Sequence, residues 1–217
     1  MKKSVVCFLA VVMLISLFSF NTKALDLNDI SAKASVVMCL DSREVVFEKN
    51  KDLKLPMAST TKIMTSLILA EQPDLSKTIT ATSEMLAVEG TSMGLKAGDS
   101  VTYKDLLYGM LLASGNDAAN VTAFAIGKSL EGFARLMNIK AKEIGLKNTS
   151  FVTPSGLDDE NHYTTAYDLA LLSAVALENP VFKAACSSKS AVVYFGNPKV
   201  RYTLTNHNKL LGDYEGL

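Results

Sequence analysis

The stretch MASTTKIMT, residues 57–65, places a serine three residues before a lysine where an apolar helix begins. Residues three apart lie on one face of a helix in adjacent turns, so Ser59 and Lys62 are predicted to be neighbours. A serine hydroxyl is a poor nucleophile until a base removes its proton. Lysine serves as that base when burial or nearby positive charge lowers its pKa from about 10.4, and the apolar residues after Lys62 favour burial.

The Ser-x-x-Lys spacing also has an ordinary interpretation. Ser59 or Thr60 can cap the helix, and Lys62 can be a solvated helix residue. A single match to so short a pattern is weak evidence. The free backbone amides of a first helical turn add a possible oxyanion site beside Ser59 in the catalytic interpretation.

A second polar stretch, SGNDAAN at residues 114–120, interrupts two apolar helical segments. Its position predicts a short connection that projects the Ser114 hydroxyl and the Asn116 amide into a cleft. The alternative is a Ser/Asn turn in which Asn116 or Asp117 caps the next helix.

The remaining pattern predicts strands at both ends of the chain and helices between them. Two β-branched hairpins are expected, one around residues 41–43 and one around the turn at residues 196–198. Helices are expected over residues 59–71, 103–113, from about Asp117, over 129–144 with Gly145 as the C-terminal cap, and from a Thr165/Asp168 capping box to about Glu178. The predicted fold class is α/β (α+β), with a sheet from the N- and C-terminal strands packed on a helical group.

Residues 1–24 have two lysines, a long apolar run and a short polar end with small residues, which is typical of a signal peptide cleaved after Ala24. A retained membrane anchor is the alternative. The prediction is an exported chain with a single domain over residues 25–217. Removing Lys2, Lys3 and Lys23 lowers the 22 basic residues to 19 against 22 acidic ones, a net charge of −3 that gives no basic surface for nucleic acid.

Taken together, the two polar motifs and the segments MASTTKIMT, LLYGMLLASGNDAANVTA, NTSFVTPSGL and TNHNKLL resemble the D-alanyl-D-alanine carboxypeptidases, the low-molecular-mass serine penicillin-binding proteins. The resemblance runs from about residue 34 to the end and implies a β-lactamase/transpeptidase-like fold. It implies that Ser59 attacks a peptidoglycan stem peptide ending in D-Ala-D-Ala and that Lys62 takes its proton. Ser114 is then expected to relay a proton and Asn116 to bind the substrate backbone.

One feature of the family is missing from the sequence. The family's third motif, Lys-Thr-Gly, lies on a strand that lines the cleft, and it does not occur in residues 1–217. The expectation is therefore a serine D-Ala-D-Ala carboxypeptidase domain whose sheet is truncated at its C-terminal part. Two alternatives are a truncated non-catalytic relative and a β-lactamase of the same fold. Against the second, no acidic deacylation motif of the class A kind follows Asn116.

Other residues carry weaker signals. His162 and His207 have no metal-type spacing and are expected to be structural or surface residues. Cys39 and Cys186 are expected to be buried free thiols in or beside strand-like runs, and a disulfide between them is the alternative in an exported chain. The resemblance implies a bacterial cell-envelope location, β-lactams as covalent inhibitors, and no metal or organic cofactor. Many relatives also have a C-terminal β-rich domain and an amphipathic membrane anchor, which residues 1–217 do not match, so no membrane attachment of the mature chain is expected.

Overall fold

The computed structural model describes residues 30–212, so the predicted signal peptide lies outside the described residues. Contacts divide the chain into two units, Met1–Ala32 and Lys33–Leu217. The first unit is described at residues 30–32, which form no helix or strand. All the elements below belong to the second unit.

The described elements of the second unit are three pairs of consecutive short strands separated by helices. In chain order they are β1 Ser35–Met38, β2 Val45–Lys49, a 3-10 turn Ala58–Thr61, α1 Lys62–Ala70, β3 Thr78–Thr80, β4 Ser100–Thr102, α2 Tyr103–Ala113, α3 Asn116–Gly127, α4 Leu130–Ile144, α5 Ala166–Glu178, α6 Pro180–Cys186, β5 Ser190–Gly196 and β6 Lys199–Thr205.

Helix α1 forms the centre of the hydrophobic core. Its Met64, Leu67 and Leu69 side chains are almost completely buried, as is expected of a helix that is apolar on every side. It packs against all five of the other described helices. Full burial of each large apolar side chain contributes about 1.5–3 kcal/mol, so the helix is a firmly held platform for the residues at its N-terminus.

The strands form two separate sheets among the described residues. β1 and β2 pair as an antiparallel hairpin, while a four-stranded antiparallel sheet has the order β3-β4-β5-β6. Both predicted hairpins are confirmed, and so is the α/β class. The prediction that the N- and C-terminal strands share one sheet is wrong, because β5 pairs with β4 instead of with the N-terminal hairpin.

Local capping chemistry explains why several helices begin where the sequence predicts. The Thr165 hydroxyl accepts a hydrogen bond from the Asp168 backbone N–H at 3.1 Å, which caps α5. The reciprocal half of the capping box is not formed, because the Asp168 carboxylate accepts from Asn148 N–H at 2.7 Å and the Thr149 hydroxyl at 2.8 Å. At the C-terminal end of α4, Gly145 adopts φ +91° as the predicted C-terminal cap.

The two described cysteines are free thiols, as predicted, but their surroundings differ from the prediction. Cys39 is exposed, and Cys186 is half-buried. Cys186 ends helix α6 and does not lie in a strand, because the Asn179 side chain caps a new helix that starts at Pro180.

Within residues 30–212, no single helix has the length and apolar composition needed to cross a membrane. The pair α5 and α6 meets those two criteria jointly but is bent by 105°.

Candidate active site

The Ser59 hydroxyl and the Lys62 amine are neighbours at the N-terminus of α1. Ser59 lies in the 3-10 turn and is exposed, whereas Lys62 is the first residue of the α-helix and is 3% exposed. The Lys62 Nζ lies 3.1 Å from the Ser59 Oγ, within hydrogen-bond distance. An accessible hydroxyl is thus paired with a buried amine.

Burial lowers the pKa of Lys62 from 10.5 to about 8, and the negative charge of Asp117 opposes that shift. Removing an ammonium from water disfavours its charged form, which is the physical cause of the larger effect. At pH 7 a pKa of about 8 leaves about one lysine in ten neutral, whereas an ordinary lysine is neutral about once in several thousand. Lys62 therefore meets the condition that a general base requires.

The segment of residues 152–157 covers the start of α1 and contacts Lys62 directly. The Ser155 carbonyl accepts from Lys62 Nζ at 2.8 Å, and the Pro154 carbonyl accepts from the Thr65 hydroxyl at 2.7 Å. The Ser155 hydroxyl is buried and has no hydrogen-bond partner among the described residues. The contact of the Ser155 carbonyl with Lys62 had no sequence signal.

Gly156 allows this segment to approach the turn that carries Ser59. It adopts φ +90°, and a Cβ atom there would collide with the Ala58 carbonyl oxygen and lie 2.8 Å from Thr61 Oγ1. Only a residue without a side chain fits between the segment and the turn.

We expect Gly156→Ala to lower the free energy of unfolding by about 2–4 kcal/mol, since it adds a backbone collision to the cost of a left-handed conformation. Gly145→Ala is the matched control, because Gly145 has φ +91° and an added Cβ would meet nothing within 4 Å. That control should lose only about 1 kcal/mol. Chemical denaturation of both variants measures the difference, and equal losses would show that segment 152–157 is not held tightly against the turn.

The predicted connection between two helices is confirmed at residues 114–116, where α2 ends and α3 begins. Ser114 ends α2 with φ +53°, and Asn116 is the first residue of α3. The Asn116 Nδ2 donates to the Glu89 carbonyl at 2.6 Å, while its buried Oδ1 has no partner among the described residues. Most buried acceptors in folded proteins have a donor, so this unpaired oxygen is unusual.

Asp117 ties this bend to the loop of residues 92–95. Its buried carboxylate accepts from the Ser92 hydroxyl at 2.6 Å and from four backbone N–H groups at 2.8–3.0 Å, those of Met93, Gly94, Leu95 and Ala118. Its charge also raises the pKa of Lys62, which places the start of α3 in the electrostatic surroundings of the amine. The sequence offered Asp117 only as a possible helix cap and gave no signal of this role.

We expect Asp117→Asn to destabilise the chain by about 3 kcal/mol or more, because an amide presents its own N–H groups to several buried donors. Asp74→Asn is the control, since Asp74 is an exposed carboxylate that accepts from the Ser76 backbone N–H at 2.8 Å and the Ser76 hydroxyl at 2.6 Å. That substitution should change stability by about 0.5 kcal/mol or less. Thermal unfolding compares the two, and a small effect at Asp117 would contradict the network described.

The structure therefore joins two of the four predicted site residues directly. Ser59 and Lys62 are hydrogen-bonded, whereas the Ser114 and Asn116 side chains form no hydrogen bond with either of them among the described residues. Lys62 is linked to the α2–α3 bend by its electrostatic interaction with Asp117, the residue that follows Asn116. Their predicted roles in proton relay and substrate binding stay predictions.

The histidines differ from each other in their surroundings. His162 is buried beside Thr61, whereas His207 is exposed. Among residues 30–212, no group of three or more His, Cys, Asp and Glu side chains is placed to hold a metal ion.

Solved DD-peptidases share this fold. The crystal structure of a D-alanyl-D-alanine carboxypeptidase from Mycobacterium tuberculosis superposes with a TM-score of 0.83 at 34% identity, covering 90% of this chain and 74% of that one. The chain therefore has the fold of these DD-peptidases, with the Ser59–Lys62 pair at the start of α1.

The sequence comparisons give the family. The family model for D-alanyl-D-alanine carboxypeptidases, peptidase family S11, matches residues 20–216, and the chain belongs to that family. It is 36% identical over 191 residues to the D-alanyl-D-alanine carboxypeptidase DacF of Bacillus subtilis, covering 86% of this chain and 49% of DacF. It is 35% identical over 187 residues to DacB2 of Mycobacterium tuberculosis, covering 85% of this chain and 63% of DacB2. The chain thus spans about half to two thirds of the length of these curated relatives.

Proposed function

We propose that this chain carries the acylation centre of a serine-type D-Ala-D-Ala carboxypeptidase that trims peptidoglycan stem peptides and is acylated by β-lactams. The observation that carries the proposal is the 3.1 Å contact between the exposed Ser59 hydroxyl and the buried Lys62 amine. Membership of the family supports the substrate class.

In the proposed reaction, the Ser59 Oγ forms a bond to the carbonyl carbon between the last two D-alanines, and its proton passes to the neutral Lys62 amine. The tetrahedral intermediate collapses when the C–N bond breaks and the leaving D-alanine amine takes up a proton. Water then hydrolyses the acyl-enzyme and restores the Ser59 hydroxyl. Splitting the reaction in this way replaces one difficult step by two easier ones.

The residues of the α2–α3 bend have supporting roles in this proposal. Ser114 relays the proton from Lys62 toward the leaving amine. The Asn116 Oδ1, which is buried without a donor, accepts from a backbone N–H of the stem peptide. The Lys-Thr-Gly motif is not part of residues 1–217, so the proposal assigns residues for acylation and none for binding the terminal carboxylate.

Release of D-alanine from a peptide ending in D-Ala-D-Ala tests the proposed function. We expect release from this peptide and none from its L-Ala-L-Ala counterpart. Acylation by penicillin without D-alanine release would instead favour the non-catalytic relative, and hydrolysis of penicillin faster than of the peptide would favour the β-lactamase. If the chain is not acylated by penicillin and does not release D-alanine, the proposal is refuted.

We also propose that residues 1–24 direct export and are removed, so that the chain acts in the bacterial cell envelope. The charge and apolar pattern of these residues supports the proposal. Mass determination of the chain recovered from cells tests it: an N-terminus at Leu25 agrees, and an intact Met1 in the cytoplasm disagrees.

A further inference from the structure

His162 lies at the base of the loop that contains residues 152–157. It makes a third, buried contact between this loop and the start of α1, at Thr61. A bridge between Ser150 and Tyr163 closes the loop that contains the segment, with N–H to carbonyl distances of 2.9 and 3.1 Å. His162 precedes this bridge and is 3% exposed. Its ring lies edge-on to Phe151, with centroids 5.9 Å apart.

The hydrogen bonds of His162 determine which ring nitrogen carries the proton. Its Nδ1 accepts from the backbone N–H of Val152 at 2.9 Å and of Thr153 at 3.3 Å. Because a backbone N–H can only donate, Nδ1 has no proton, and a neutral ring then carries its proton on Nε2. The Nε2–H donates to the Thr61 hydroxyl at 2.7 Å.

The ring therefore connects the covering segment to the residue immediately before Lys62. We propose that neutral His162 is a positioning residue that fastens residues 152–157 onto the start of α1 and so keeps the Ser155 carbonyl on the Lys62 amine. The role rests on the proposed function, in which Lys62 is the base. The fastening itself is a property of the fold.

Protonation of His162 removes this fastening, because a protonated Nδ1 donates and can no longer accept from two backbone N–H groups. Burial lowers the pKa of His162 below its usual 6.5, against the opposing charges of Asp159 and Asp158. On α1, the helix that follows Thr61, the titratable side chain is Lys62. Since the folded pKa is the lower one, the stability that His162 contributes is complete above about pH 6.5 and is lost as the pH falls through the folded pKa.

NMR of the imidazole nitrogens tests the fastening without any measurement of activity. The sequence has two histidines, so His207→Gln assigns the signals of His162. We expect the Nε2-protonated neutral form at pH 7. As the ring titrates below pH 6.5, the Val152 and Thr153 amide hydrogens should lose protection, measured as their exchange rate relative to that of an unprotected amide at the same pH. A proton on Nδ1 at pH 7, or amide exchange that does not follow the titration, would overturn the proposal.

The effect on chemistry is measured with His162→Gln, which retains an N–H donor but has no ring acceptor at the Nδ1 position. We expect acylation at pH 7 to slow by about tenfold or more, since a small displacement of a catalytic group has effects of that size. The decline of the rate with falling pH that matches the His162 titration should also disappear, while His207→Gln keeps it. An unchanged pH profile in His162→Gln refutes the positioning role, whereas acylation absent from every variant refutes the proposed function and leaves the NMR test in force.

Discussion

We expect Ser59→Ala to abolish covalent labelling of the chain by a fluorescent penicillin. The substitution removes the hydroxyl that is 3.1 Å from Lys62 and leaves the buried core of α1 unchanged. Removing the nucleophile of a comparable serine peptidase lowers turnover by about six orders of magnitude, so no label is expected on any practical time scale. Gel fluorescence and peptide mass mapping measure the adduct.

Thr60→Ala is the control for this experiment. Thr60 is the next residue in the same exposed turn, and its hydroxyl donates to the Met57 carbonyl at 2.5 Å. We expect this variant to be labelled at Ser59 like the wild type. An adduct at any other residue, or labelling that survives in Ser59→Ala, would refute the assignment of the nucleophile.

Replacing Lys62 is expected to have the second largest effect. Lys62→Arg keeps a positive charge but cannot give up its proton, and Lys62→Met has no base at all. Both should acylate at least about 10³-fold more slowly, within the range of general base catalysis. The rate of β-lactam acylation, followed against pH, measures the loss.

The matched control for this prediction is Lys104→Arg, at an exposed position of α2. It should keep the wild-type rate and the wild-type pH profile, in which acylation rises toward pH 8 and then levels off. Lys62→Arg at the wild-type rate would show that a neutral amine is not needed.

The pH dependence of the free energy of unfolding gives an independent measure of the pKa of Lys62. The folded pKa of Lys62 is about 8 and the unfolded value 10.5, so the unfolded chain holds more protons between these values. The free energy of unfolding should therefore rise with pH across this range, by at most about 3 kcal/mol. Lys62→Met should lack that rise.

Local patterns explain why the helices were predicted well from the sequence. The helix over residues 130–144 has a capping serine, Ser129, at its start, and Gly145 ends it, all within one short stretch. The turn at residues 196–198 likewise sets the second hairpin. Signals of this kind act between neighbours in the chain and can be read without the tertiary structure.

The parts of the fold that were missed depend on distant contacts. Strands β3 and β4 have three residues each, too few to show an alternating pattern, and they exist because β4 pairs with β5 nearly one hundred residues later. That pairing also explains the error about the sheet, since a prediction of hairpins does not say which strands lie beside them.

The site shows the same division between local and distant information. The Ser59–Lys62 pair follows from helical spacing, so the sequence predicted it correctly. The contacts of Asp117 with the loop at 92–95, and of His162 with Thr61, join residues 22–25 and 101 positions apart. No spacing rule brings such residues together, and their roles became visible only in the folded chain.

The most direct test of the account is the pKa of the Lys62 amine itself. Titration of lysine labelled at Cε, with the Lys62 signal assigned by its absence from Lys62→Met, measures that value by NMR. Because the fold buries the amine, we expect a midpoint at about pH 8. A midpoint near 10.5, the value of an ordinary lysine, would contradict it.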